Sequence, residues 1–136
     1  MSIVQTQTTS FKAELYQAVH NLLTDTLKIA LYTANADLND ATTAYSTSNE
    51  VSGTGYTAGG ITLTGVTINT SGYVAYVNFN DASFNAAVTA RAALIYNASK
   101  SNKSIAVIDF GSDKTSTSFK ITMPANSATT ALIRTS

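Results

Sequence analysis

Apolar and polar residues alternate with a period of two in stretch after stretch of this chain, and that alternation limits the fold more tightly than any other feature. Leu27, Ile29 and Leu31 share one face of "LKIALY", and Tyr73, Ala75, Val77 and Phe79 share one face of "YVAYVNF". In "ITLTGVTI" the apolar positions run Ile61 and Leu63, then change parity across Gly65 to Val66 and Ile68, which is the signature of a bulged strand. "SIAVIDFG" and "FKITM", the latter with Phe119, Ile121 and Met123 inward, continue the series and end at Pro124, which cannot donate to a ladder. "AAVTARAALIYN" carries helix-forming alanines, but Val88, Leu94, Ile95 and Tyr96 favour a strand, at least over Ala92 to Asn97. Half-buried strands need a second layer over their apolar faces, so the pattern predicts a mainly β domain: a two-sheet β-sandwich or jelly-roll-like fold of six or seven strands.

One helix precedes them. In "FKAELYQAVHNLL", residues 11, 15, 18, 19 and 22 make an apolar stripe, with Ser10 placed as the cap and Glu14 near the positive end. The sequence thus divides into an N-terminal arm (1–10), a β-sandwich domain with its leading helix (11–127) and a C-terminal strand or second arm (128–136). The Thr/Gln-rich start, "MSIVQTQTTS", has no periodicity and is expected to order only by contact with something else. Residues 35–60 read as a polar excursion over the surface, and "NTSGY" as the turn of a hairpin.

The chain has 136 residues, enough for one domain with a true core, and only 12% are charged, with no net charge. That balance removes the electrostatic case for nucleic acid or an anionic membrane as partner. Thr, Ser and Asn supply the surface polarity instead, which suits a protein docked on others. Cysteine is absent, which excludes disulfides and thiolate metal sites. No segment has the roughly 18 apolar residues of a spanning helix, and the first ten lack the character of a signal peptide, so synthesis in the cytoplasm is expected.

Candidate chemistry is sparse. "NEVSGTGYTAGGIT", Asn49 to Thr62, holds Gly53, Gly55, Gly59 and Gly60, four of the seven glycines. Gly55 to Thr62 fits the spacing of a phosphate-binding G-x-x-x-x-G-K-[ST] loop except that Ile61 stands where the lysine is required. Polar loop precedes it and strand pattern follows, the reverse of a strand-to-helix phosphate loop, so these four glycines are read as a structural turn. His20 is the sole histidine and is expected mid-helix, satisfied or exposed. Asp37, Asn39 and Asp40 lack the glycine and terminal glutamate of a calcium loop. Asp81 and Asp109 are the carboxylates best placed for a glycosidase-like pair, although Asp109 is equally suited to face Arg91 or Lys120 across strands. Lys100 and Lys103 mark a basic hairpin tip. Tyr32, Tyr45, Tyr56, Tyr73, Tyr76 and Tyr96 are ordinary in a sandwich and also suit an interface. No catalytic residue, cofactor or metal is expected from this set.

The motifs "IALYT", "NEVSGTGYTAGG", "ALIYN" and "DFG", within Phe11 to Pro124, together resemble a family of small virion proteins encoded by tailed bacteriophages. No other kinase motif accompanies "DFG", so it is not a kinase element. The resemblance implies a non-enzymatic structural protein, with a head decoration, or cement, protein as the specific expectation. Its partners would then be the major capsid protein and other copies of itself, its location the outer surface of the phage head, and its ends would act as clamps. A tail- or fibre-associated module, or a carbohydrate-binding one, is the alternative.

Overall fold

The computed structural model describes residues 3–124, 127 and 129–135, and the fold is mainly β with one short helix near the N-terminus, consistent with a β-sandwich. Its elements are β1 (Thr6–Gln7), α1 (Thr9–Tyr16), β2 (Leu27–Tyr32), β3 (Ile61–Thr62), β4 (Thr67–Ser71), β5 (Val74–Asn78), β6 (Ala82–Phe84), β7 (Val88–Asn97), β8 (Lys103–Ser116), β9 (Phe119–Ile121) and β10 (Ile133–Thr135). They form a five-stranded sheet in the order β1-β8-β7-β2-β3, a three-stranded sheet β10-β5-β4 and a two-stranded sheet β6-β9, with every strand pair antiparallel.

The alternation in β2 sorts its side chains between two apolar clusters. Leu27, Ile29 and Leu31 join Ala93 and Ile95 of β7 and meet Val77, Phe84, Phe119, Ile121 and Ile133 from the smaller sheets, with Phe79 from the segment after β5. This is the main core, and each Leu, Ile or Phe buried there contributes about 1.5–3 kcal/mol. Ala30 and Tyr32 point the other way, with Ala92, Leu94, Tyr96 and Val107, and are covered by Ala36, Leu38 and Tyr45 from the long excursion. The central strands are therefore buried on both faces, which is why Ala92 to Asn97 contains no exposed position. The polar excursion of residues 35–60 runs over the surface, as its sequence implies, and is pinned there by a few buried side chains, Ala36, Leu38 and Val51.

Three local expectations change. The helix ends at Tyr16 instead of Leu23, because Gln17 caps it and Ala18 adopts a positive φ of 56°. The chain then turns back so that His20 and Leu22 reach the interior from a loop, and the apolar spacing that suggested two more helical turns serves that loop instead. The cap is Thr8, not Ser10: Thr8 Oγ1 accepts from the Phe11 N–H at 3.4 Å and also lies 2.9 Å from Ser104 Oγ. Finally, "ITLTGVTI" is two strands in two different sheets, β3 and β4. Gly65, at φ +66°, redirects the chain between them, so the change of parity marks a sheet switch and not a bulge.

The hairpin expected at "NTSGY" is present. Ser71 pairs with Val74 across Gly72 and Tyr73, and Gly72 takes φ +57° at the first loop position, as a type II′ turn requires. Tyr73 sits at its tip, 98% exposed, and not on the inward face with Val77 and Phe79. At the N-terminus, Ile3 bridges Leu38 and β1 adds to the edge of β8, so residues 3–8 are held by the domain's own sheet. At the other end β10 pairs with β5; Met1, Ser2, Ala125, Asn126, Ala128 and Ser136 lie outside the described residues.

Candidate functional site

The glycine-rich excursion and the strands beneath it form the most elaborate polar assembly in the molecule, centred on Glu50. Its Oε1 accepts the Tyr45 hydroxyl at 2.6 Å, and its Oε2 accepts the Tyr56 hydroxyl at 2.5 Å and the Gly59 N–H at 2.8 Å. Tyr56 Oη in turn accepts the Leu31 N–H of β2 at 3.0 Å, and Tyr96 of β7 donates its hydroxyl to the Gly59 carbonyl at 2.6 Å. Tyr45 stacks on Tyr96 with ring centroids 4.6 Å apart. Tyr32 donates to the Ser46 carbonyl at 2.6 Å. Burial, reinforced by the Glu50 carboxylate, pushes the Tyr45, Tyr56 and Tyr96 hydroxyls above the ordinary tyrosine range, and burial does the same for Tyr32. All four therefore stay protonated as donors at neutral pH.

Gly53, Gly55, Gly59 and Gly60 run through this assembly where backbone meets backbone. A Cβ on Gly60, whose φ is +78°, would lie 1.8 Å from the Ile29 carbonyl oxygen, and one on Gly55, at φ +87°, would lie 2.2 Å from that of Asn85. Gly53 abuts the Ala87 carbonyl in the same manner, and Gly59 faces the Tyr96 hydroxyl. The amides that a phosphate would need are already used, Gly59 N–H by Glu50 and Gly60 N–H by the Thr57 carbonyl, and strand β3 follows at Ile61 in place of a helix. The loop supplies its own anion. Chemically the assembly is a lock that fastens residues 45–60 onto β2 and β7.

A second network surrounds His20, which follows the helix and is buried. Asn97 donates from Nδ2 both to His20 Nδ1 at 2.9 Å and to Asp25 Oδ2 at 2.8 Å, while its Oδ1 accepts the Ser99 N–H at 3.0 Å. With Nδ1 accepting, the His20 proton sits on Nε2, which donates to Glu14 Oε1 at 2.8 Å. The hydrogen bond from the Asn21 N–H, then those from Asn97 and Lys100, hold Asp25 below the usual carboxylate range. The basic tip closes on the same carboxylates, Lys100 on Asp25 at 3.4 Å and Lys103 on Glu14 at 3.7 Å. Both ring nitrogens of His20 are thus committed to neighbours.

The two carboxylates considered for a glycosidase pair have separate environments. Asp109 binds Arg91 across β7 and β8 at 3.2 Å and is held below its ordinary pKa by the Gly111 N–H and by Arg91. Asp81 accepts the Met123 N–H at 2.8 Å and faces Lys120 at 3.7 Å. Asn39 donates to Asp37 and accepts the Ala41 N–H, an Asx turn that accounts for the acidic stretch locally. Among the described residues no group of three or more His, Cys, Asp or Glu is placed to hold a metal, and no helix is long and apolar enough to cross a membrane.

The sequence did not single out Glu50, Asn97 or Thr8. For Glu50 a signal existed: a lone carboxylate between Tyr45 and Tyr56 in a chain with so few charges. For Asn97 and Thr8 the partners lie 77 and 96 residues away, beyond any local pattern. No family model, curated protein or solved structure matches the chain.

Proposed function

We propose that the chain is a structural virion protein of a tailed bacteriophage, a capsid decoration protein that binds the outer head surface and bridges major capsid subunits. Its role is mechanical and not enzymatic. The observation that carries this reading is the contrast between polar and apolar groups. The side chains suited to chemistry, His20 and Glu50 above all, are spent on internal contacts, while large apolar side chains stay outside. Leu15 and Tyr16 on α1, and Ile68 and Tyr73 on the β4–β5 hairpin, are 37%, 92%, 46% and 98% exposed. Side chains of this type, set in polar surroundings, are what a contact surface requires.

The hairpin adds to this. From Val66 to Asn80 it contains neither a charged residue nor a proline, and β4 is the outer strand of its sheet. Edge strands are usually blunted by charge or proline against pairing with other chains, and this one is not. The contact surface is preformed, so docking pays little ordering entropy. Stabilisation of a shell follows from selective binding to the assembled lattice, about 2.7 kcal/mol per site when free protein is at a hundred times its Kd, repeated over many sites.

The test is binding of the purified protein to heads of the encoding phage that lack it, read by cosedimentation. Saturation at a fixed number of copies per capsid subunit supports the proposal; failure to sediment with heads while sedimenting with tails refutes it. The tail-associated or carbohydrate-binding alternative draws on the same exposed tyrosines, since Tyr16 and Tyr73 offer flat faces on which a sugar ring stacks. A glycan array without hits removes the carbohydrate version.

A further inference from the structure

Beside α1 and β10 lies a groove of about 550 Å³ lined by Thr6, Gln7, Lys12, Leu15, Tyr16 and Arg134, with Thr135 at its end. Leu15 and Thr135 also line a second hollow of about 330 Å³, which continues past Leu22 and Val77 to Ile68 and Ile133. The two share walls and form one trough, cationic at one end and apolar along the other. Its apolar part is open: Leu15, Tyr16 and Ile68 are half of the six exposed large hydrophobic residues among those described.

The charges at its cationic end are not balanced. Of the eight Lys and Arg residues, Arg91, Lys100, Lys103 and Lys120 are each paired with a carboxylate. Lys12 and Arg134 have no ion pair among the described residues, yet both line this one groove, and neither hollow has an Asp or Glu in its wall. Arg134 is also fixed in place: its guanidinium donates to the Thr129 carbonyl and its own carbonyl accepts Gln7 Nε2 at 2.8 Å. In a neutral protein that pairs half its cations, two at the mouth of an apolar trough with no ion pair among the described residues are complementary to a segment that brings its own carboxylates.

We propose that this trough docks an acidic, leucine-rich type of peptide segment from a partner protein, its carboxylates meeting Lys12 and Arg134 and its apolar side chains covering Leu15, Tyr16 and Ile68. The chemistry of the site stands without the head-binding reading; only the identity of the partner as a capsid subunit rests on it.

The experiment uses the full chain labelled with ¹⁵N and the peptide acetyl-Glu-Leu-Asp-Leu-Glu-amide as probe, followed by amide and side-chain shifts. The proposal expects saturable shifts confined to Lys12, Leu15, Tyr16, Ile68, Arg134 and their neighbours. It expects at least tenfold weaker binding for Lys12→Glu, at least fivefold weaker binding for Tyr16→Ser, and none for the peptide with lysine at its acidic positions. Both substituted positions are exposed, and an unchanged melting temperature certifies that each variant is folded. Shifts centred elsewhere, affinity indifferent to Lys12→Glu, or equal shifts from free glutamate overturn it. A concentration-dependent dimer abolished by Tyr16→Ser also overturns it, by giving the trough to a second copy. Because no phage head enters the assay, its outcome is separate from that of the cosedimentation test.

Discussion

Replacing Gly60 with alanine places a methyl group where the backbone of β2 already stands. The new Cβ would lie 1.8 Å from the Ile29 carbonyl oxygen, 2.6 Å from its carbon and 2.8 Å from Ala30 Cα, and no rotamer change relieves a clash with backbone. The positive φ of 78° adds a second cost. Gly111 separates the two, since its φ is +82° but nothing lies within 4 Å of the Cβ position. Gly111→Ala should therefore show the conformational cost alone, about 1–2 kcal/mol. Gly60→Ala must in addition lift the loop from β2, weakening the hydrogen bonds of Glu50 and Tyr96 to Gly59, of which those to a charged group are worth about 1.5–3 kcal/mol. A total loss of about 3–5 kcal/mol follows for Gly60→Ala. For a chain of this size that lowers the melting temperature by about 10–20 °C, against about 4–8 °C for Gly111→Ala. Urea unfolding followed by far-ultraviolet circular dichroism measures both. Losses that agree within about 0.5 kcal/mol, the usual spread for additive sites, would show that Gly60 does not sit against Ile29 and would refute the lock.

Three further outcomes follow from the buried networks. His20→Ala removes the bond to Glu14, leaves an Asn97 N–H without its acceptor and empties space beside Phe11, so urea unfolding should register a loss of about 2–4 kcal/mol. The hydroxyls of Tyr32, Tyr45, Tyr56 and Tyr96 have raised pKa values, so their contribution is complete below about pH 10 and is lost as pH rises beyond it. Spectrophotometric titration should accordingly show a class of tyrosines that ionises only as the protein unfolds; one reversible step for all seven in a folded protein contradicts this. Asp25 and Asp109 have lowered pKa values, so they stabilise the fold above the ordinary carboxylate range and cease to do so as pH falls through their depressed values. A double Asp25→Asn, Asp109→Asn variant should lose less stability between about pH 4 and pH 2 than the parent, and an identical acid limb would remove that assignment.

The strands were legible because their information is local. Leu27, Ile29 and Leu31, or Phe119, Ile121 and Met123, announce a face by spacing alone, and both sets are buried as that spacing requires. The two-layer architecture followed from the need to cover such faces. Where the sequence misled, one pattern served two purposes. Val19 and Leu22 sit at helical spacing from Leu15, but Ala18 turns the chain and a loop delivers Leu22 to the core. The parity change at Gly65 fits a bulge and a sheet switch equally, and only the partners of β3 and β4 distinguish them. The Glu50 assembly was half legible. Its glycines stood out, whereas the carboxylate that they close around depends on Tyr45, Tyr96 and Leu31 arriving from separate elements. The same physics redirects a natural experiment. Deleting Met1 to Thr9 removes β1 and the Thr8 cap together, so it perturbs the fold as well as any clamp, and the Lys12 and Tyr16 variants probe the surface more cleanly.

The most direct measurement of the proposed role is whether the protein occurs in virions of a tailed phage whose genome carries this sequence, and at what position and copy number, obtained by separating heads from tails and quantifying the chain in each. A decoration protein must appear in the head fraction in fixed ratio to the major capsid protein. Its presence in the tail fraction alone, or its absence from purified virions, would contradict the account.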